Sequence, residues 1–273
     1  MKDVKGEYII VNCWNEWFEH PARMVLEHYD NKEYENTVFV LGSYCFHRIE
    51  FFKDLYQGRK IIIYQMEQLF NGPDEHWVNV QGVLGNLQRA NRDEADQIWD
   101  MCLANKAFLN EYGISVDKVA PLKFTKSLEE LDYSVEPEID VLFYGNLNTR
   151  RSKMLADLAY YFYFQDVSIC WLMGMSLEDQ KKYIEKSKII LNIHHTATYN
   201  RQEQTRIFYL LINKKCVLSE TSTKNYFGEG IVETDNLSKG IEDLLNNNSY
   251  IKQGELGHDL LKKNSNYAKE LII

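Results

Sequence analysis

The stretch that decides the fold is IDVLFYGNLNTRRSK, residues 139–153. A short, mostly apolar β-branched and aromatic run reads as a buried strand, Gly145-Asn146 as a turn, and the residues that follow as a helix start. Two adjacent arginines, Arg150 and Arg151, sit where the strand hands over to the helix. A helix N-terminus disfavours cations, so this placement is unfavourable unless an anion compensates it. A glycine that lets the backbone approach, unpaired N–H groups and guanidinium forks together suit a phosphate. The same residues also read as a solvated turn with arginines paired to surface carboxylates.

Strands and helices alternate on both sides of this stretch. Upstream, strands are expected at 8–14, 36–42 and 60–66, helices at 16–29 and 47–56, a loop after Gln68, a helical stretch to about Asn110 and a last strand at 118–124. Residues 125–138 are acidic, polar and contain Pro137, a linker composition. Beyond the 139–144 strand come strands at 167–174, 188–195, 216–220 and 230–234, with helices near 151–163, 176–186, 203–213 and 236–246. The expectation is an α/β protein of two Rossmann-like, doubly wound parallel-sheet domains facing a cleft. The first is residues 1–124, the linker 125–138, the second 139–248, and 249–273 a C-terminal helix packing back across the domains. Ligands in such sheets bind beyond the carboxyl ends of strands, which points to the residues after each strand.

Composition narrows the classes. The chain has 273 residues, 45% hydrophobic and 13% aromatic, ample for real cores. No apolar run reaches a membrane span and the start lacks a signal-peptide layout, so the expected location is cytoplasmic. Five scattered cysteines without a CxxC pair read as reduced core fillers. A net charge of -9 disfavours non-specific adhesion to nucleic acid or anionic lipid. There is no GxxxxGK[ST] loop and no GxGxxG fingerprint, which lowers ATPase and dehydrogenase readings.

A second polar cluster lies in residues 191–220. His194 and His195 end a strand, Tyr199 and Asn200 occupy a loop, and Glu203 and Arg206 lie three apart at a helix start. That carboxylate could accept sugar hydroxyls and that guanidinium could reach a diphosphate; alternatively the two form an intrahelical pair. Glu220 follows its own strand directly. Adjacent histidines on a strand point to opposite faces and lack ligand spacing, so no metal site is expected. In the first half, Glu67 just past its strand could take a proton from an acceptor hydroxyl, or serve as a cap. Trp14, Asn15, Glu16 and Tyr44, after the first two strands, offer stacking surfaces and polar groups for an acceptor.

The stretches DVLFYGNLNTRRSKML, KSKIILNIHH, EQTRIFYLLINKKCVLSE and YFGEGIVETDNLSKGIEDLL run in the order of the nucleotide-sugar half of a GT-B glycosyltransferase. The chain resembles glycosyl transferases of group 1 and CgeB-like proteins, and its second half is similar to T-even phage DNA β-glucosyltransferases. The resemblance implies transfer of a hexose or pentose from a nucleotide-diphosphate sugar, UDP-sugar above all, to a hydroxyl acceptor. It implies no tightly bound cofactor. It assigns the diphosphate to Gly145, Arg150 or Arg151, and Arg206, and a catalytic base to Glu67; Asn146, His194, Tyr199, Glu203 and Glu220 join the expected donor site by their places at strand ends and a helix start. The family's ribose-binding carboxylate would fall near Tyr209, two turns beyond Glu203. A metal-independent, inverting reaction follows from guanidinium neutralisation and a single base. The acceptor is a glycan or a hydroxymethylated phage DNA base. For duplex DNA, Lys53, Arg59, Lys60, Arg89 and Arg92 would have to form a basic groove. The alternative is a non-catalytic module that binds a nucleotide sugar or scaffolds a partner.

Overall fold

A computed structural model describes residues 2–42, 51–69, 80–197 and 201–263. The chain divides into two compact units between Ser127 and Leu128. Among the described residues, the first unit holds β1 (Lys2–Lys5), β2 (Ile9–Cys13), α1 (Glu19–Tyr29), β3 (Thr37–Leu41), α2 (Phe52–Leu55), β4 (Lys60–Gln65), α3 (Val80–Arg89), β5 (Gln97–Asp100), α4 (Leu103–Glu111) and β6 (Lys118–Val119). The strands lie in chain order, β1-β2-β3-β4-β5-β6.

The central strands are apolar along their whole length because both faces are covered. All five residues of β3 are buried, as are Ile61, Ile62, Ile63 and Tyr64 of β4. One face is aromatic, with Phe39 and Trp99 packed against Tyr29 and Tyr34. The other is aliphatic: Val38, Val40, Ile61, Ile63 and Ile98 meet Phe52, Leu87 and Leu109.

Three elements depart from the sequence expectation. β1 is an antiparallel edge strand on β2, and its Lys-Asp-Val-Lys composition suits a solvated edge. β5 lies inside a stretch expected to be helical throughout. Gln97 and Asp100 give it polar ends, so its four residues show no strand period. The expected last strand is reduced to two residues, and Pro121 just beyond it cannot donate to a ladder.

The second unit, again among the described residues, contains β7 (Ile139–Tyr144), α5 (Thr149–Tyr161), β8 (Ile169–Leu172), α6 (Leu177–Glu185), β9 (Ser187–Asn192), α7 (Gln204–Ile212), β10 (Cys216–Glu220), β11 (Val232–Thr234), α8 (Leu237–Leu245) and α9 (Ser249–Lys263). Its strands are parallel, in the order β11-β10-β9-β7-β8. From β7 the chain moves outward through α5 to β8, whereas from β9 it moves the other way through α7 to β10. The loops after β7 and β9 therefore part company, and the crevice between two such strand ends is where open α/β sheets take ligands. Phe143, Leu155, Leu158, Ile189, Leu191, Leu218, Ile241 and Leu244 form the core beneath α5 and α8. α9 packs on α7, α8 and β10 of the same unit. Gly254 permits that approach, because a Cβ there would lie 2.0 Å from the Lys214 carbonyl oxygen.

Candidate functional site

The site is built at the divergence of β7 and β9. α5 starts two residues earlier than its apolar period suggests because Asn148 caps it. The Asn148 side chain accepts from the Arg151 amide and donates through Nδ2 to the His195 carbonyl, 2.7 Å away. Capping of this kind satisfies one of the orphan amides of the first turn. The same side chain thereby ties the loop after β7 to the loop after β9.

Both adjacent arginines strengthen that tie. Arg151 is buried, 2% exposed, and donates from Nε to the Ile193 carbonyl and from Nη1 to the Asn146 carbonyl. Among the described residues its Nη2 makes no hydrogen bond, and it lies 3.6 Å from Glu203. Arg150 donates to the His194 carbonyl and forms a two-pronged pair with Glu220. Glu220 also accepts from the His194 amide at 2.7 Å. Much of the donor capacity of these two arginines is thus committed to the framework. What remains for a ligand is the Arg151 Nη2 and the outward edge of Arg150.

Arg206 is different. It lies on the first turn of α7, with its guanidinium 5.2 Å from the Tyr144 ring centroid and 5.9 Å from that of Phe143. Among the described residues it makes no hydrogen bond, and its Nη1 is buried without a partner. It lies against the Gly145 turn, where φ is +135° and a Cβ would come within 2.6 Å of Nη2. Glycine is required there on both counts. Burial and the nearby Arg206 charge push the Arg151 pKa down to about 10. Two cations held this close in a partly buried place are strained toward an anion.

The remaining candidates are distributed as follows. The His194 ring is buried, with Nδ1 3.0 Å from the Arg201 carbonyl and Nε2 3.3 Å from the Thr221 carbonyl. One ring nitrogen donates to a backbone carbonyl, and Nε2 also lies 3.4 Å from the Ser222 hydroxyl. Glu203 precedes α7 and is half-buried, facing Arg151. Asn146 is exposed beyond its carbonyl bond to Arg151. Tyr209, where the resemblance would put a ribose-binding carboxylate, is a buried tyrosine that donates to Glu130. Tyr199 lies outside the described residues.

In the first unit, Glu67 follows β4 and is half-buried, its backbone fixed on both sides. Its amide donates to Gln65 Oε1, and its carbonyl accepts from Gln65 and Asn105. Asp100 ends the neighbouring β5, fully buried, accepting from the Cys102 amide and from Gln65. This second carboxylate escaped the sequence reading along with its strand. Asn15 caps a turn of 3-10 helix at Glu16–Phe18, Trp14 is half-buried and Glu16 exposed. Tyr44 lies outside the described residues.

A cavity of about 570 Å³ opens beside Arg150, between α5 and the start of α8. Tyr161, His194, Thr196, Glu220 and Asn236 are among its lining residues. That size is within the range of small-molecule sites. Only the strand-end residues had a signal in sequence; the α8 wall is brought there by β11. Among the described residues no three His, Cys, Asp or Glu side chains converge as a metal site would require, and no helix is long and apolar enough to cross a membrane.

No protein-family model matches the chain, and no curated protein does. Solved structures match over nearly its whole length. The Glycosylation Associate Protein (Gap123) complex from Streptococcus agalactiae aligns at 14% identity and TM-score 0.51, covering 86% of this chain and 53% of that one. This chain thus spans about half the length of that relative. Sucrose-phosphate synthase from Thermosynechococcus elongatus aligns at 10% identity and TM-score 0.53, with 94% and 76% covered. T4 phage BGT in complex with its UDP-glucose substrate aligns at 11% identity and TM-score 0.52, with 96% of both chains covered. The protein accordingly has the two-sheet α/β fold of the GT-B type.

Proposed function

We propose that the protein transfers a sugar from a nucleotide-diphosphate sugar to a hydroxyl acceptor, with the donor held at the divergence of β7 and β9. The observation that carries this is Arg206: a half-buried guanidinium that makes no hydrogen bond among the described residues, rests on a glycine turn, and lies near enough to the buried Arg151 to lower its pKa. A diphosphate would satisfy Arg206 and Arg151 Nη2 and meet the open amides at the start of α5. The T4 phage relative carries UDP-glucose, and UDP-sugar is the donor we assign. In this reading Glu220 and His194 hold Arg150 and the β9 loop in place, and Glu203 balances Arg151.

As the sugar leaves, negative charge grows on the diphosphate. Fixed guanidiniums lower that barrier without reorganising, so the reaction is metal-independent. Glu67 would take the acceptor proton as it attacks, and a single displacement inverts the anomeric carbon. Its support is its place at a strand's carboxyl end, with the backbone clamped by Gln65 and Asn105.

A glycan acceptor suits the molecule better than duplex DNA. Arg59 and Lys60 enter β4 from its amino end, and Arg89 and Arg92 lie at the end of α3 and just before β5. The Lys53 ammonium is held by the Asp93 carbonyl. These cations gather at the opposite end of the strands from Glu67.

The test incubates the protein with a panel of nucleotide sugars and hydroxyl acceptors and follows transfer. UDP-sugar turnover that falls by at least about 100-fold in Glu67→Gln, with donor affinity kept, is the expected outcome. Wild-type turnover in that variant removes Glu67 from the reaction. Acceptor binding should change little between low and high salt; a steep loss would favour DNA. Donor binding with no transfer to any acceptor would make this a binding module.

A further inference from the structure

The outer edge of the second sheet bears an uncovered apolar strip. β8 is the last strand of that sheet, and among the described residues nothing pairs with its outer side. Proteins normally blunt such an edge with lysine, proline or a bulge. β8 reads Ile-Cys-Trp-Leu, with no charge and none of its four residues buried. Around it, Tyr160 is 84% exposed, Tyr163 75%, Phe164 90%, Trp171 43% and Met173 61%. With about 150–250 Å² per large side chain, these leave roughly 700 Å² bare. A stable interface buries about 800 Å² per partner.

The local sequence says what would cover it. The Ser168 carbonyl accepts from the Val141 amide and the Leu172 carbonyl from the Gly145 amide. Alternation along the strand then turns the backbone groups of Ile169 and Trp171 outward. An antiparallel partner strand centred on Cys170 would pair Ile169 with Trp171 of a second copy, and Trp171 with its Ile169, through both outward residues. Extended by one step, Val167 meets Met173. Each pair on that face is apolar, with an aromatic opposite a β-branched side chain, and no charge faces another. On α5, the flank turned away from the cavity presents Ser152, Ala156 and Ala159, which leave room beside Trp171.

We propose that the protein forms a two-fold dimer through antiparallel pairing of β8 with β8 of a second copy, joining the two second-unit sheets. This dimer is independent of the donor site proposed above. The register has a sharp consequence. Cys170 faces its own counterpart on the two-fold axis, in the close, non-hydrogen-bonded type of antiparallel pair. Such Cα atoms lie about 4.5 Å apart, within the roughly 4.4–6.8 Å a disulfide spans. Cys170 is half-buried, whereas Cys13, Cys102 and Cys216 are buried.

The test measures the mass of the full chain by light scattering, then treats it with a mild thiol oxidant. Each disulfide formed gives two electrons to the added oxidant and releases two protons. Burial raises the Cys170 thiol pKa, so the oxidation is run at alkaline pH. The expected mass is twice 32.3 kDa, with a reducible dimer whose linked peptides both contain Cys170. Cys170→Ser should keep the doubled mass and lose the cross-link. Trp171→Lys and Met173→Lys, each checked for folding by its thermal melt, should halve the mass. A monomer at every concentration overturns the proposal. So does a dimer that survives both lysine variants, or one that cross-links through another cysteine.

Discussion

At the scale of single residues, three of the second unit's four arginines, Arg150, Arg151 and Arg206, divide the work at the proposed site. Arg151 looks like a ligand-binding residue in sequence, yet two of its donors hold the carbonyls of Ile193 and Asn146. Sequence can place a guanidinium at a helix start; it cannot show that the neighbouring loop turns its carbonyls toward it. Arg151→Met should cost about 2–3 kcal/mol in denaturant unfolding, because two carbonyls lose a charged donor inside the fold. A loss under about 0.5 kcal/mol would mean the tie between the loops is not structural. Arg206, lacking such bonds, is the residue whose removal should leave stability nearly unchanged.

At the scale of elements, the strands of the second unit were legible because continuous apolar runs end in turn residues, as at Tyr144-Gly145 and Glu220. β5 was not, because a four-residue strand with polar residues at both ends has no period of its own. The seat of α9 on α7, α8 and β10 was not legible either, because it depends on a close approach rather than on a pattern. Gly254→Ala should destabilise the second unit by about 2–3 kcal/mol, since the added methyl meets a carbonyl of backbone that cannot swing aside. An unchanged melting temperature would show that α9 shifts freely. Lys215 gives a pH signature in the same unit. Its ammonium donates to the carbonyls of Glu185 and Ser187, and burial lowers its pKa from 10.5 to about 8. Between about pH 8 and 10 the unfolded chain therefore keeps a proton that the folded chain has released, and stability should rise with pH over that window. Lys215→Met should flatten the rise in thermal melts; an identical slope would assign it to other groups.

At the scale of the whole molecule, two Rossmann-like sheets divide at Ser127/Leu128, and the strand order reverses only in the second among the described residues. That reversal, more than any motif, supports the proposed donor site, with Gly145 and Arg206 on the two diverging branches. The acidic balance of the chain makes a local cation cluster conspicuous. The most direct measurement is calorimetric titration of UDP and UDP-sugars into the wild type and Arg206→Ala, with unfolding followed in parallel. The account predicts donor affinity reduced roughly 10–100-fold, the value of one charge-assisted contact, at unchanged stability. Equal affinity in the two proteins would contradict it.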